Sequence, residues 1–359
     1  MKKIAIIFIM LLLSVVLSSC SRSYEPVAST DEEATVVFTL TCDNEVYEVR
    51  YELYRALFLS HKAELDGGDS TLWSGVGAKE LIGEMNELIV SYASRIYGAI
   101  HHAKKLGIDP YSKEFDDRVE EYIKIGVEGD GGNYAGAGSY EKYLDELKKM
   151  NLNYSVQDLL IRYSFALEKI SEHYIGTEDE ALGLVGGSID VSEEKVREFY
   201  ESDECVRVIQ IYLQAVAYSE SRAEAIRNEI AVQSSATDVA NYAIQYTTSS
   251  YVDIFDGTVI GRNTVNEEYM EFTEAAFALK PGDTSAVIRI NDGDEDGYYI
   301  LYGLEKTESY FKDHFDAVKE AYLYHMVAAP YAETRAALAE SMSISVGYYQ
   351  IDHGKISMD

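Results

Sequence analysis

The chain has 359 residues, with 62 Asp and Glu against 31 Lys and Arg, a formal charge of −31. A surface so negative repels phosphate backbones and anionic headgroups, which argues against a nucleic-acid partner. The length suffices for two domains with cores of their own.

Lys2 and Lys3 precede an apolar run from Ile4 to Leu17, the pattern of an export leader over residues 1–19. The run is shorter than the ~20 apolar residues a helical membrane span requires. Leu17-Ser18-Ser19-Cys20 resembles the bacterial lipobox. That resemblance implies cleavage before Cys20 and lipid on its thiol, and two acyl chains hold a protein stably on a membrane. The expected location is therefore the extracytoplasmic side of a bacterial membrane. Residues 20–34 are polar and read as a tether. Of the three cysteines, Cys42 and Cys205 then remain; they fall in segments assigned to different domains and are expected as buried, unpaired thiols. Neither stands in a metal-ligand or C-x-x-C spacing, and no cofactor or metal is expected.

Thr35 to Thr41 is rich in β-branched residues and ends at the turn pair Asp43-Asn44, so a strand is predicted, followed by a helix from Tyr47 to Leu65. Helices are predicted over Ala78–Leu106, closed by Gly107 and Pro110, and over Lys113–Lys124, with a glycine-rich loop from Gly126 to Gly138. Its glycines neither follow a strand nor precede a basic residue, so it is no phosphate cradle. Ser155 with Asp158 reads as a capping box, and Ser192 as a cap whose flanking Val191 and Val196 form a hydrophobic staple. Cys205 to Leu213 reads as a buried strand, Tyr310–Ser341 as a helix, and Ile344–Ile351 as a last strand. The adjacent His101 and His102 do not share a helix face and read as surface residues. Asn291 to Gly297 matches the first half of a calcium loop, but Gly303 occupies the position of its bidentate glutamate, so it reads as a solvated acidic turn.

Several segments together resemble the PrsA-like and SurA-like exported foldases, in which a helical chaperone domain carries a parvulin-type peptidyl-prolyl isomerase domain. On the N-terminal side the carriers are the strand and turn through Asn44, Ala103 to Asp109, and Tyr140 to Leu147. On the isomerase side they are Asp190 to Tyr200, the strand through Gln210, and Phe272 to Asp283. The resemblance implies an α+β fold, with a helical chaperone domain at 35–202, a parvulin-like domain at 203–306, and a C-terminal helix and strand at 307–359 packing on the chaperone domain. Ser221–Val232 would supply the first parvulin helix, Asp256–Gly261 a glycine loop in which Thr258 replaces a second glycine, and Gly297–Ile300 the final strand.

Turning a prolyl bond means crossing a barrier of roughly 18–20 kcal/mol without covalent chemistry. An apolar pocket, removal of water and hydrogen bonds to the twisted amide are what an enzyme can offer. The family places two histidines beneath the pocket, with a methionine and a phenylalanine as walls. Carried over, the histidines fall on Gln210 and Tyr299, the methionine on Glu268 with Met270 nearby, the phenylalanine on Phe272, and Phe277 lies behind it. The acid or cysteine position falls near Tyr251 or Asp253. All seven histidines lie outside 205–300. The resemblance thus implies a lipid-anchored foldase or holdase of unfolded exported polypeptides whose isomerase domain is weak or inactive. Its rivals are an active peptidyl-prolyl isomerase and a surface-binding lipoprotein without a folding role. The 30 tyrosines could fill helix interfaces or offer rings to apolar peptide.

Overall fold

A computed structural model describes residues 24–132, 134–179, 183–247, 255–263, 270–291 and 296–356. They form two compact units: one comprises the described residues up to His173 together with Glu333 onward, the other Tyr174–Ala332. The fold class is α+β. These divisions differ from the predicted 202 and 307, because Tyr310, Phe311, Val318 and Tyr322 pack with Val196, Phe199 and Tyr200.

The first unit opens with β1 (Val36–Cys42) and β2 (Glu45–Arg50), paired antiparallel with Cys42 opposite Glu45. Asp43 and Asn44 both have positive φ, 48° and 66°. Two left-handed residues in succession make the turn whose twist suits a hairpin. Residues 45–50 are therefore strand rather than the predicted helix: Tyr47 and Val49 are buried while Val46, Glu48 and Arg50 face water. The helix starts only at Tyr51, giving α1 (Tyr51–Asp66), followed by α2 (Ala78–Lys105), α3 (Lys113–Glu128), α4 (Tyr140–Lys149) and α5 (Tyr154–Ile175).

Gly126 lies inside α3, not in a loop as its composition suggests. A Cβ there would meet the Tyr143 ring at 2.4 Å, so glycine is what lets α4 approach. Tyr143 and Leu147 then close over Val119, Ile123, Val127 and Ile161. At the start of α5, Asn153 caps by accepting from the Val156 N–H at 2.9 Å, while Ser155 donates its hydroxyl to Glu52 at 2.7 Å. The predicted capping box is thus replaced, because the carboxylate of Glu52 competes for the serine. The predicted tether is held to this unit from Tyr24 on: Tyr24 packs against Tyr140, and Tyr140 donates to the Glu25 carbonyl at 2.8 Å.

In the second unit β3 (Gly176–Asp179) and β4 (Gly183–Gly186) form a small hairpin, followed by α6 (Glu193–Glu201). Ser192 stands at the N-cap of α6 without a side-chain hydrogen bond to the helix N–H groups, and Val191 is exposed, so the predicted staple is open. Next come β5 (Cys205–Gln214), α7 (Glu220–Ala231), α8 (Ala236–Ala243), β6 (Thr258–Gly261), α9 (Met270–Ala278), β7 (Ile288–Asn291) and β8 (Asp296–Leu304). The four strands form an antiparallel sheet in the order β6-β5-β8-β7.

Alternation along β5 sends Ile209, Ile211 and Leu213 to one face, where they join Tyr298, Ile300 and Tyr302 of β8 against Ile226, Ile230 and Val239 of α7 and α8. Val208 and Tyr212 go to the other face, with Tyr299, Leu301, Ile288 and Ile290, under Phe272 and Ala276 of α9.

The predicted helix from Tyr310 is two: α10 (Glu308–Asp313) and α11 (Phe315–Glu340), whose last residues belong to the first unit. There β9 (Ser343–Ile344) pairs with β1 through Phe38 and Thr39. The predicted strand stops at Ile344. Ser345 accepts from the Gly347 N–H and starts a 3-10 turn over Val346–Gln350, which stacks Tyr348 on Phe38.

Candidate functional site

The α9 face of the four-stranded sheet carries the residues that stand for the family's pocket. Gln210 lies between Val208 and Tyr212 on β5, so alternation gives it the same face. Across the ladder it stands opposite Leu301, and Tyr212 opposite Tyr299. Gln210 and Tyr299 are therefore diagonal neighbours, a spacing of roughly 7–8 Å that long side chains can bridge.

Tyr299 is locked in a ring cluster. Its centroid is 4.9 Å from that of Tyr212 and 5.1 Å from that of Phe272, the latter edge to face. Tyr299 is 7% exposed and Phe272 6%, so the rings fill this part of the face rather than wall an open pocket. Gly297 makes the arrangement possible: a Cβ there would meet the Tyr212 ring at 2.4 Å and the Leu213 carbonyl oxygen at 2.7 Å. The Tyr212 hydroxyl donates to the Asp296 carbonyl at 3.4 Å. Tyr212 escaped the sequence reading, although its position two residues beyond Gln210 put it on the same face.

Phe277 does not join these rings; it is half-buried beneath the Arg262 guanidinium, 4.2 Å from ring centroid to Cζ. Met270 begins α9. Cys20, Glu268, Tyr251, Asp253 and the Asp292–Asp294 part of the acidic turn lie outside the described residues. Thr258, in place of a family glycine, starts β6 opposite Val208.

Two histidines reach the second unit from the helices after the sheet, and neither joins the α9 face. His314 stacks on Tyr310 at 4.4 Å, with Nε2 3.5 Å from Asp256 Oδ2. His325 packs against Phe199, and its Nδ1 accepts from the Asn263 N–H at 3.4 Å. Burial holds this imidazole below its ordinary range. The Cys205 thiol is buried and pushed up to about 11 by desolvation, and it donates to the Phe199 carbonyl. Such a thiol is a packing element, not a nucleophile. Cys42 is only half-buried, against expectation, and both cysteines are free.

His101 and His102 correct the sequence reading most sharply. Both are buried, at 2% and 4% exposure, because β2 folds back over the C-terminal half of α2. Tyr47 packs against Tyr97 with tilted rings, centroids 5.2 Å apart, and Tyr97 donates to the Glu48 carbonyl at 2.7 Å.

The described architecture defines an α+β protein: a helical unit with a three-stranded sheet, and a second unit built on a four-stranded antiparallel sheet. Among solved structures it is similar to the foldase protein PrsA from Streptococcus pneumoniae str. Canada MDR_19A, at 16% identity, 87% coverage of this chain and 97% of that one, with a TM-score of 0.28. It is also similar to PrsA from Bacillus subtilis, at 17% identity, 75% and 85% coverage and a TM-score of 0.25. For the foldase protein PrsA from Lactococcus lactis the values are 14% identity, 90% and 99% coverage and a TM-score of 0.22. Superpositions this loose carry no argument about function. No family profile matches the chain, and no curated protein matches it.

Proposed function

We propose that the protein is a foldase or holdase of the bacterial cell envelope that binds unfolded exported polypeptides, with an isomerase-like domain that turns prolyl bonds slowly or not at all. The observation that carries the reading is the closed ring cluster of Tyr212, Tyr299 and Phe272, beside Gln210, on the face where the family's histidines would stand. Rotation about a prolyl bond gains most from a preorganised, water-free pocket with fixed donors. A packed phenol and a flexible carboxamide supply neither an open pocket nor a rigid imidazole pair.

Polypeptide binding is assigned to exposed rings of the helical unit. Tyr111, Tyr122 and Tyr134 are about half-exposed, and Met150 is 58% exposed. Tyrosine offers apolar area while keeping its hydroxyl wet, and methionine adapts to varied partners. An acidic surface keeps such a protein soluble beside aggregating clients. Retention at the membrane is assigned to lipid on Cys20, which mass spectrometry of membrane-extracted protein should find at the mature N-terminus.

The test is light scattering from a chemically unfolded client diluted into buffer with and without this protein. The reading expects aggregation to be delayed, and the delay to shrink when Tyr111, Tyr122 and Tyr134 are replaced by serine with the fold retained. A chain without effect on aggregation would favour a surface-binding lipoprotein that uses the fold only as a scaffold.

A further inference from the structure

The turn of the first hairpin and the last turns of α2 bring together the one Cys, Asp and His constellation with metal-ligand reach among the described residues: Cys42 Sγ, an Asp43 carboxylate oxygen and a His101 ring nitrogen all lie within 4.8 Å of one another. The hydrogen bonds around His101 fix which ring nitrogen faces this group. Tyr47 has a single phenolic proton. Its oxygen lies 2.8 Å from Glu45 Oε2 and 3.0 Å from His101 Nδ1. Lys104 Nζ donates to the same Oε2 at 2.6 Å, so this oxygen is an acceptor toward both neighbours. Tyr47 therefore donates to Glu45, and His101 Nδ1 must carry the hydrogen that it donates to the Tyr47 oxygen.

That leaves Nε2 pointing at Asp43 Oδ2, 3.2 Å away, with the Cys42 sulfur beside them. His101 is 2% exposed, and its ring is clamped by the edge of Tyr47 at 5.9 Å. A ring nitrogen, a carboxylate oxygen and a sulfur that converge in this way offer a cation three donor atoms. We propose that this cation is a divalent transition metal of the zinc class, held by His101 Nε2, Asp43 Oδ2 and Cys42 Sγ.

The distances fit. Ligand bonds of about 2.0–2.3 Å in a tetrahedron place donor atoms roughly 3.3–3.6 Å apart. The nitrogen and oxygen stand 3.2 Å apart, just under that spacing, and the three donor atoms lie within 4.8 Å of one another. The nitrogen, oxygen and sulfur set suits zinc, cobalt or copper and disfavours calcium and magnesium, which take oxygen. An Nδ1–H donated to a fixed acceptor is also how metal-binding histidines are oriented. On binding, the Cys42 S–H bond breaks as the metal–sulfur bond forms, and the proton leaves to solvent; no electrons change hands. Asp43 is 60% exposed on its side chain, so the fourth position opens to water. Lys105 Nζ, 3.2 Å from Asp43 Oδ2, competes for the carboxylate, and at 52% exposure it is free to swing away.

The proposal stands apart from the foldase reading and does not depend on it. The test is a Co2+ titration of the full chain in detergent after EDTA treatment. One equivalent should give a near-ultraviolet thiolate-to-cobalt band that Zn2+ abolishes. Cys42→Ser should lose the band, Asp43→Asn should weaken binding about tenfold or more, and Lys105→Ala should tighten it. Asn retains the left-handed turn conformation at 43, and circular dichroism confirms the fold of each variant. Absence of the band in the wild type, or its persistence in Cys42→Ser, would overturn the site and leave a protonated imidazole bridging Tyr47 and Asp43.

Discussion

The two faces of the four-stranded sheet are built from the same strands but to different ends. Toward α7 and α8 the sheet offers Ile209, Ile211, Leu213 and Ile300, all fully buried, with Tyr298 and Tyr302 beside them. Toward α9 it offers Tyr212 and Tyr299, packed ring against ring with Phe272, and beside them the half-buried carboxamide of Gln210. The first face is closed by aliphatic packing against two helices, the second by rings that pack on each other.

The contrast can be broken at several points. Ile211→Ala should cost the most, about 2–5 kcal/mol, because a fully buried branched side chain leaves a cavity between sheet and α7. Gln210→His, on the half-buried site opposite, should stay within about 1 kcal/mol in the same denaturant titration. If the two substitutions cost the same, the faces do not differ as argued.

Gly297→Ala tests the ring cluster. The added methyl collides with the Leu213 carbonyl as well as the Tyr212 ring, so a loss of about 1–3 kcal/mol is expected, together with a changed near-ultraviolet circular dichroism signal from the tyrosines. An unchanged signal would mean that Tyr212 does not lie over Gly297.

A smaller effect is expected from pH. Burial holds His325 and His353 below the ordinary imidazole value. Glu204 opposes that shift at His325 while Arg262 adds to it, and Asp352 opposes it at His353. The unfolded chain therefore takes up protons first as pH falls through about 6.5, and stability is lost over that range until the folded histidines protonate. His325→Gln should make the denaturation midpoint less sensitive to pH between 7 and 5, by up to about 1 kcal/mol. A wild-type midpoint that rises on acidification would contradict the sign.

Much of this was legible in the sequence, for identifiable reasons. The run Cys205–Leu213 is too apolar and β-branched for anything but a buried strand, and Asp43-Asn44 announces a hairpin turn. The strand after that turn was hidden because Tyr47, Tyr51, Tyr54 and Phe58 recur at helical spacing, and only pairing with β1 decides the conformation of residues 45–50. On the α9 face the positions of Gln210 and Tyr299 could be read from alternation. The closure of the rings could not, since it depends on a glycine one strand away. The burial of His101 beside Cys42 was beyond any local pattern, because it arises from β2 lying along α2.

The most direct measurement is the rate of prolyl isomerisation of a short proline peptide by the wild-type chain and by the triple variant Gln210→His, Tyr299→His, Glu268→Met. We predict a wild-type rate close to the uncatalysed one and a faster variant, since the change reopens the ring cluster and restores the imidazoles. A wild-type rate equal to that of a histidine-bearing parvulin on the same peptide would contradict the account and establish an active isomerase.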